Sequence, residues 1–472
     1  MKPFAVAAAL ASWLTAAGAS GFEPPQVFKN ANLVHVVSLE KNYVKEAINV
    51  QVENIDKSPQ DEYFVPIPSE QIPRIGGFEV KDRKNQDSGP LAVNLVEADP
   101  ESDVQYYRIQ LPSPLEPGAQ QTLGISYNIL KAYTPLPAAI KQDEKQYLSY
   151  EFNAYAPSVY PTTKQKTDVK TGGSIQEYTQ IDEGNPSKSS NKLTYGPFHD
   201  TLAGATKPSQ VRFEFTKPVL HVSSLQRDVE VSHWGGNVAF EERYDLTHLG
   251  ANLSDQFNRV KWAQSAYYNP ATAALKELKF PLQEGSIDPY YTDVIGNVST
   301  SRFRSGKREA ILEAKPRYPV FGGWRYPFTI GWNSDAKNFL RKATGDGYVL
   351  NIPFLEGPKQ AEGIEYESIQ VRVLLPEGAT NVKFYTTIPT TSILSHSIDL
   401  SNTFLDTLGR TVLAINATNL VDDMRDRELI VTYDSSLIDS LRKPLLVFTS
   451  MFTIFVVAYI VGGVEVKISS KK

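Results

Sequence analysis

Cysteine is absent from all 472 residues, which excludes disulfides, thiol catalysis and thiolate-bound metals together. A chain of this length can bury enough apolar surface to fold without such staples, so the absence is compatible with an oxidising compartment. The chain also lacks any dense basic stripe, and its formal net charge of −5 argues against a nucleic-acid partner. No HExxH, GxSxG or P-loop pattern occurs. Gly345-Asp346-Gly347 lacks the third glycine of a dinucleotide fingerprint and reads as a tight turn. The histidines number six, and His221, His233 and His248 are too widely spaced to imply a metal site. Glu241 and Glu242 adjoin on a predicted strand and therefore point to opposite faces, so they do not pair as catalytic acids. Asp422, Asp423, Asp426 and Glu428, interleaved with Arg425 and Arg427, read as a solvated turn. We expect no catalytic residue, no metal ligand and no cofactor site.

Long apolar runs occur twice, and they bracket the chain. The first spans Phe4 to Ala17 and is followed by Ala17-Gly18-Ala19, the small residues a signal peptidase requires, so residues 1–19 are expected to be a cleaved signal peptide. The second, Leu445 to Val464, carries no charge and as a helix would span roughly 30 Å, the thickness of a bilayer's hydrocarbon core. Arg442 and Lys443 precede it, while Lys467, Lys471 and Lys472 follow. Those counts barely decide orientation, and the signal peptide decides it instead. The expected topology is single-pass, with residues 444–464 in the membrane, 465–472 in the cytosol and nearly everything else on the lumenal side. Phe448, Phe452, Phe455 and Tyr459 share one face of the span, to be met by a partner helix or by lipid.

Between these runs the pattern has period two. Ile48, Val50 and Val52, then Tyr107, Ile109 and Leu111, then Leu123, Ile125, Tyr127 and Ile129 alternate with polar residues, as do Val211, Phe213 and Phe215, and Ile369, Val371 and Val373. These are half-buried antiparallel strands. Helical signal is scarce, the best candidate being a short helix opened by Asn269-Pro270 and running to Leu278. Pro114, Gly118, Leu123, Ile125 and Tyr127 recur at one fixed offset as Pro319, Gly323, Phe328, Ile330 and Trp332, which suggests duplication. The fold class expected is therefore mainly β: tandem sandwich-like domains over 20–220 and 221–443, few helices, and one C-terminal transmembrane helix. Lys164 to Lys192, rich in serine, lysine and glycine, reads as a mobile loop.

Three sequons, at Asn252, Asn297 and Asn416, lie where the topology permits glycan addition. Asn297 follows Gly296 in a turn-like setting, which favours exposure. Asn185-Pro186-Ser187 is excluded by its proline.

The segment from Gln226 to Gly235, QRDVEVSHWG, continued by FEERYDL from Phe240 to Leu246, resembles the hallmark segment of the ribophorin I family, the alpha subunit of the oligosaccharyltransferase complex. Tyr291 to Ser301 and Pro316 to Tyr326 are similar to that family's further blocks, in the same order. The resemblance covers essentially the whole chain and is strongest to fungal members. It implies residence in the endoplasmic reticulum membrane and a part in transferring a lipid-linked oligosaccharide to asparagine of nascent chains, without implying that this chain catalyses. Implied partners are the other subunits, including the multi-spanning catalytic one, and nascent polypeptides. The resemblance also implies two lumenal domains similar to the N-terminal sandwich of zinc aminopeptidases. Mammalian members carry a longer cytosolic domain that has no counterpart here, so its roles are not carried over.

Arg227, His233, Trp234 and Glu241 could form a contact surface on such a scaffold. The alternative packs Trp234 in a core and pairs Arg227 with a strand neighbour. A lumenal cargo or chaperone-type receptor and a membrane-anchored ectoenzyme are the rival classes. The former usually shows disulfides or a cytosolic sorting signal, and the latter convergent titratable groups in a cleft.

Overall fold

Alternation in the sequence becomes strands whose apolar residues turn to one side. The computed structural model describes residues 22–463, apart from 86–88, 97–101, 183, 185, 269–270, 307 and 403–405. The expected signal peptide, cytosolic tail and Asn269-Pro270 helix cap lie outside the described residues. A first unit contains β1 (Phe28–Leu39), β2 (Val44–Asn54), β3 (Gln60–Pro68), β4 (Ile75–Asp82), β5 (Val93–Leu95), β6 (Val104–Leu115) and β7 (Gln120–Ile129). It continues with β8 (Thr134–Pro135), β9 (Tyr147–Asn153), β10 (Thr162–Thr171), β11 (Ile175–Tyr178), β12 (Lys192–Thr201) and β13 (Pro208–Glu214). A second unit has β14 (Leu220–Ser232), β15 (Asn237–His248), β16 (Leu278–Leu282), β17 (Ile287–Asp293), β18 (Arg302–Ser305), β19 (Ala310–Ala314) and β20 (Arg325–Asp335). It ends with β21 (Leu340–Lys342), β22 (Gly347–Pro353), β23 (Glu365–Glu377), β24 (Thr380–Thr386), β25 (Arg410–Val421) and β26 (Glu428–Asp434).

The two units share one topology. The large sheet of the first contains the order β12-β10-β1-β2-β7-β4, and that of the second β25-β23-β14-β15-β20-β17. One pair in each is parallel, β1 with β10 and β14 with β23, and the other neighbours in these orders are antiparallel. The smaller sheets match as well: β11-β13-β9-β8 with β24-β26-β22-β21, and β3-β6-β5 with β16-β19-β18. Each of the thirteen strands β1 to β13 thus has a counterpart in the same place in the second unit. The sequence echo falls on one such pair: Leu123, Ile125 and Tyr127 are buried on β7, and Phe328, Ile330 and Trp332 on β20. Gly118 and Gly323 open these strands at φ of 73° and 78°, the left-handed region that glycine enters without steric cost.

Two expectations are corrected. Among the described residues of 164–192, 164–171 belong to β10, 175–178 are β11 and Lys192 opens β12, so much of the stretch is sheet rather than the mobile loop expected. Their buried side is polar but satisfied, with Thr167 donating to the Ala154 carbonyl at 2.7 Å and Gln165 bonding Ala156 N and Thr201. Low apolar content therefore did not prevent burial. The short helix lies upstream of the place expected: α1 runs Arg259–Tyr268, opened by Asn258, whose Oδ1 accepts from Val260 N and Lys261 N at 3.0 Å as an N-cap does. Residues 273–275 are instead buried in non-helical chain, with Leu275 bridged to Val320.

Each unit has one apolar core, and Tyr43 and Leu130 of the first contribute to the core of the second. The described residues end with α2 (Leu437–Gly463). Ser436 Oγ accepts from Asp439 N at 3.2 Å and donates to the Asp439 carboxylate, a reciprocal cap that starts the helix before the apolar run does. Within it, Leu441–Gly463 is long and apolar enough to cross a membrane, and none of its apolar window is buried against the rest of the chain.

Candidate functional site

Charge inside the second unit centres on Arg227, which lies on β14 and is fully buried. Strand register sets it opposite Glu242 of β15. Its guanidinium is ion-paired to Glu242 and to Glu356, the latter at 2.7 Å. Phe240 and Trp332 present their rings 5.1 and 6.0 Å from it, a favourable cation–π placement. Burial works against the Arg227 charge, but the Glu356 and Glu242 carboxylates outweigh it and hold the group protonated. Glu242 also accepts from Tyr244, whereas Glu241, one residue earlier, faces outward to Arg243 and Tyr290. Opposite faces separate the two acids, as strand geometry requires.

The first unit hides its own carboxylate, Glu46 of β2, among His35, Tyr127 at 2.6 Å and Tyr150 at 3.0 Å. Burial alone would raise the Glu46 carboxyl; the His35 and tyrosine hydrogen bonds outweigh it and hold the group below its usual range. In both clusters each charge has an oppositely charged or hydrogen-bonding partner, while Arg227 Nε is buried without a hydrogen-bond partner.

The seam between the units is built from groups that the sequence pattern did not assign to it. Asp422, Asp423, Asp426 and Glu428 do lie in and just after a turn, with Asp423, Asp426 and Glu428 exposed, but that turn is also a contact: Lys41 reaches Asp422 and Asp423 at 2.9 and 2.6 Å, Lys45 reaches Asp423 at 2.8 Å, and Tyr43 donates to Asp422 at 2.8 Å. Burial works against the Asp423 carboxylate, but the two lysines hold its pKa down at about 2. Arg427 pairs with Glu79 across the same seam. Nearby, His221 bridges Glu365 and Glu367 at 2.8 and 3.0 Å, Lys131 Nζ reaches Glu367 at 2.6 Å, and Lys131 N donates to Glu365. Asn419 Nδ2 donates to the carbonyls of Pro73 and Ile75. Its own carbonyl sits where a Cβ on Gly76 would be, 1.6 Å away, so only glycine permits that approach. The two units are bolted together rather than linked by a flexible hinge.

The four residues weighed as a contact surface separate. Arg227 is interior, paired with its strand neighbour. His233 is half-buried, hydrogen-bonded to Tyr433 at 2.9 Å and 4.4 Å from the Tyr348 ring, and burial lowers its pKa. Trp234 is not in a core; at 74% exposure it stands out from the turn between β14 and β15. That turn and the root of α2 enclose a groove of about 440 Å³, lined among others by Glu230, Trp234, Arg410, Lys443, Pro444 and Val447. Gly345, at φ 73°, turns the chain into β22 as the tight-turn reading expected.

Asn252 and Asn297 are exposed. Asn416 sits within β25, half-buried, donating to Ser395 Oγ at 3.0 Å and accepting from Gln370 at 3.2 Å. His221, His233 and His248 lie in different settings, His248 being fully buried with its Nε2 2.6 Å from the Ala273 carbonyl. Among the described residues no group of three histidine, aspartate or glutamate side chains is placed to hold a metal ion.

The Ribophorin I family profile matches residues 28–462. Dolichyl-diphosphooligosaccharide–protein glycosyltransferase subunit 1 of Caenorhabditis elegans is 31% identical over 446 residues, 94% of this chain and 73% of that protein. The protein of the same name from Schizosaccharomyces pombe is 30% identical over 419 residues, 87% of this chain and 89% of that one. A solved leukotriene A4 hydrolase from Saccharomyces cerevisiae aligns with 39% of this chain and 29% of its own at 12% identity and a TM-score of 0.28, too low to carry an argument.

Proposed function

The chain belongs to the ribophorin I family, and from that premise we propose that it is a non-catalytic subunit of the oligosaccharyltransferase complex of the endoplasmic reticulum. In this reading it supports protein N-glycosylation by holding partner subunits or the acceptor chain. The observation that carries the proposal is how the interior charges are used. Glu46, Glu242, Glu365, His221 and His248 are each engaged by a partner that closes a core or the seam. Titratable groups committed in this way hold shape and leave little free to move a proton at a substrate. The duplicated ectodomain, fixed across its seam and rooted on α2, suits a rigid body standing on the lumenal face, with one type I span. Asn252 and Asn297, both exposed, are the sequons we assign as glycosylated, and Asn416 would need its sheet hydrogen bonds opened first.

Affinity purification of the tagged full chain in mild detergent, followed by mass spectrometry, tests this. The other subunits, including the multi-spanning catalytic one, should be recovered in fixed proportion. Recovery of the chain alone, or with cargo proteins only, would overturn the assignment.

A further inference from the structure

Trp234 is the largest exposed aromatic on the turn that joins β14 to β15, and its surroundings direct it outward. His233, one residue before, is held inward by Tyr433 and Tyr348. Ser232 Oγ accepts from Gly235 N at 3.0 Å, and Gly236 takes φ of 62°, so the turn is fixed and bare of side chains beyond the indole. The indole shares its groove with Lys443, Pro444 and Val447 of α2. Val447 lies six residues beyond Leu441, the first residue of the stretch apolar enough to span a membrane, hence about 9 Å along the helix axis. The Trp234 side chain is therefore level with the first turns of the apolar segment. The charged groups of the groove and the helix root are each in a pair: Arg442 with Asp439 at 2.8 Å, Lys443 with Asp406 at 2.6 Å, and Arg410 with Glu230.

An amphipathic indole abreast of the polar-to-apolar transition of a span matches the chemistry of a bilayer interface, where an N–H meets headgroups and carbonyls while the ring meets the upper acyl chains. We propose that the Trp234 turn is a second membrane contact, inserted into the interface of the lumenal leaflet, with a phospholipid seated in the groove between it and α2. This rests on the reading of α2 as a membrane span. One helix leaves the ectodomain free to tilt; a second contact on the side of the helix restricts that tilt and fixes the height of the rigid two-unit body over the membrane.

The test uses the mature full chain in phosphatidylcholine nanodiscs, alongside Trp234→Phe. The wild-type minus variant difference reports Trp234 alone. The expected result is emission lost with lipids brominated near the headgroup end of the acyl chain, retained with lipids brominated deep in the bilayer, and protected from aqueous iodide. Emission that iodide quenches and shallow bromines do not would overturn the proposal while leaving the span intact. Protection seen only after the complete complex is assembled would overturn it in favour of a protein contact. Failure of the chain to float with vesicles on a density gradient would overturn the span and this inference together.

Discussion

Replacing Arg227 with methionine removes the single cation from a buried cluster and leaves the Glu242 and Glu356 carboxylates facing one another without it. Arg227 and Glu242 have no exposed side-chain surface and Glu356 has little, so water cannot replace the guanidinium. Deleting one member of a buried pair costs about 3–5 kcal/mol. An independent bound comes from the carboxylates, which can escape by taking up protons. Starting from an ordinary value of 4.5, neutralising one at pH 7 costs 1.36 × (7 − 4.5), or about 3.4 kcal/mol. The two routes agree. Because that escape becomes easier in acid, the deficit of Arg227→Met should shrink by up to about 2.7 kcal/mol between pH 7 and pH 5 for each carboxyl that protonates. Trp332, buried against Phe240 at a ring separation of 5.1 Å, reports this core by its fluorescence during thermal or urea unfolding of the full chain in detergent. A variant that unfolds within about 1 kcal/mol of wild type at pH 7, with no change of deficit at pH 5, would refute the assignment of a fully desolvated, structure-bearing charge cluster.

His248 is buried and neutral, and burial lowers its pKa from 6.5 to about 4. Since the unfolded chain binds the proton first, the native state carries no penalty above pH 6.5 and loses about 3 kcal/mol as pH falls to 4; His248→Gln should flatten that slope in equilibrium unfolding, and an unchanged slope would count against it. Gly76→Ala places a methyl on the Asn419 carbonyl and should raise hydrogen exchange at residues 418–424 and 73–77 together, whereas exchange confined to one side would mean the seam is not shared. Asn252→Gln and Asn297→Gln should each shift electrophoretic mobility by one glycan, and a mobility that only Asn416→Gln changes would reverse the assignment. Photocrosslinkers at Phe448, Phe452, Phe455 and Tyr459 should reach another subunit's helix; products with lipid alone would leave that exposed face without a protein partner.

Much of the β architecture was legible because half-buried strands write their apolar residues at period two, and duplication wrote Leu123, Ile125 and Tyr127 again as Phe328, Ile330 and Trp332. Where burial is polar the signal disappears. Thr167 and Gln165 fill the inner face of β10 by hydrogen bonding, so a central strand resembled a loop. The short helix is hard to locate from sequence because Asn258, a strong cap, is followed by α1, whose residues carry no clear apolar stripe, whereas the Asn-Pro pair farther on carries the stronger local start signal. Arg227 pairing with its cross-strand neighbour was within reach of the pattern once Glu242 faced the same side. The seam was not, since Asp422 and Asp423 meet Lys41 and Lys45 from the far end of the sequence, and local composition does not encode partners at that separation. Trp234 is exposed because aromaticity predicts burial only where a sheet face lies above the residue, and here it projects from a turn.

If this chain shapes the complex while another subunit performs the transfer, as proposed, the direct measurement is turnover per assembled complex. Complexes purified through a tag on this chain, carrying Glu46→Gln, Glu242→Gln or Glu365→Gln one at a time, would be assayed for oligosaccharide transfer to an acceptor peptide and normalised to the amount of catalytic subunit recovered. Turnover per intact complex should stay close to wild type even where assembly yield falls. A single one of these substitutions that abolished transfer by roughly 10²-fold or more, in a complex otherwise complete and stable, would contradict it.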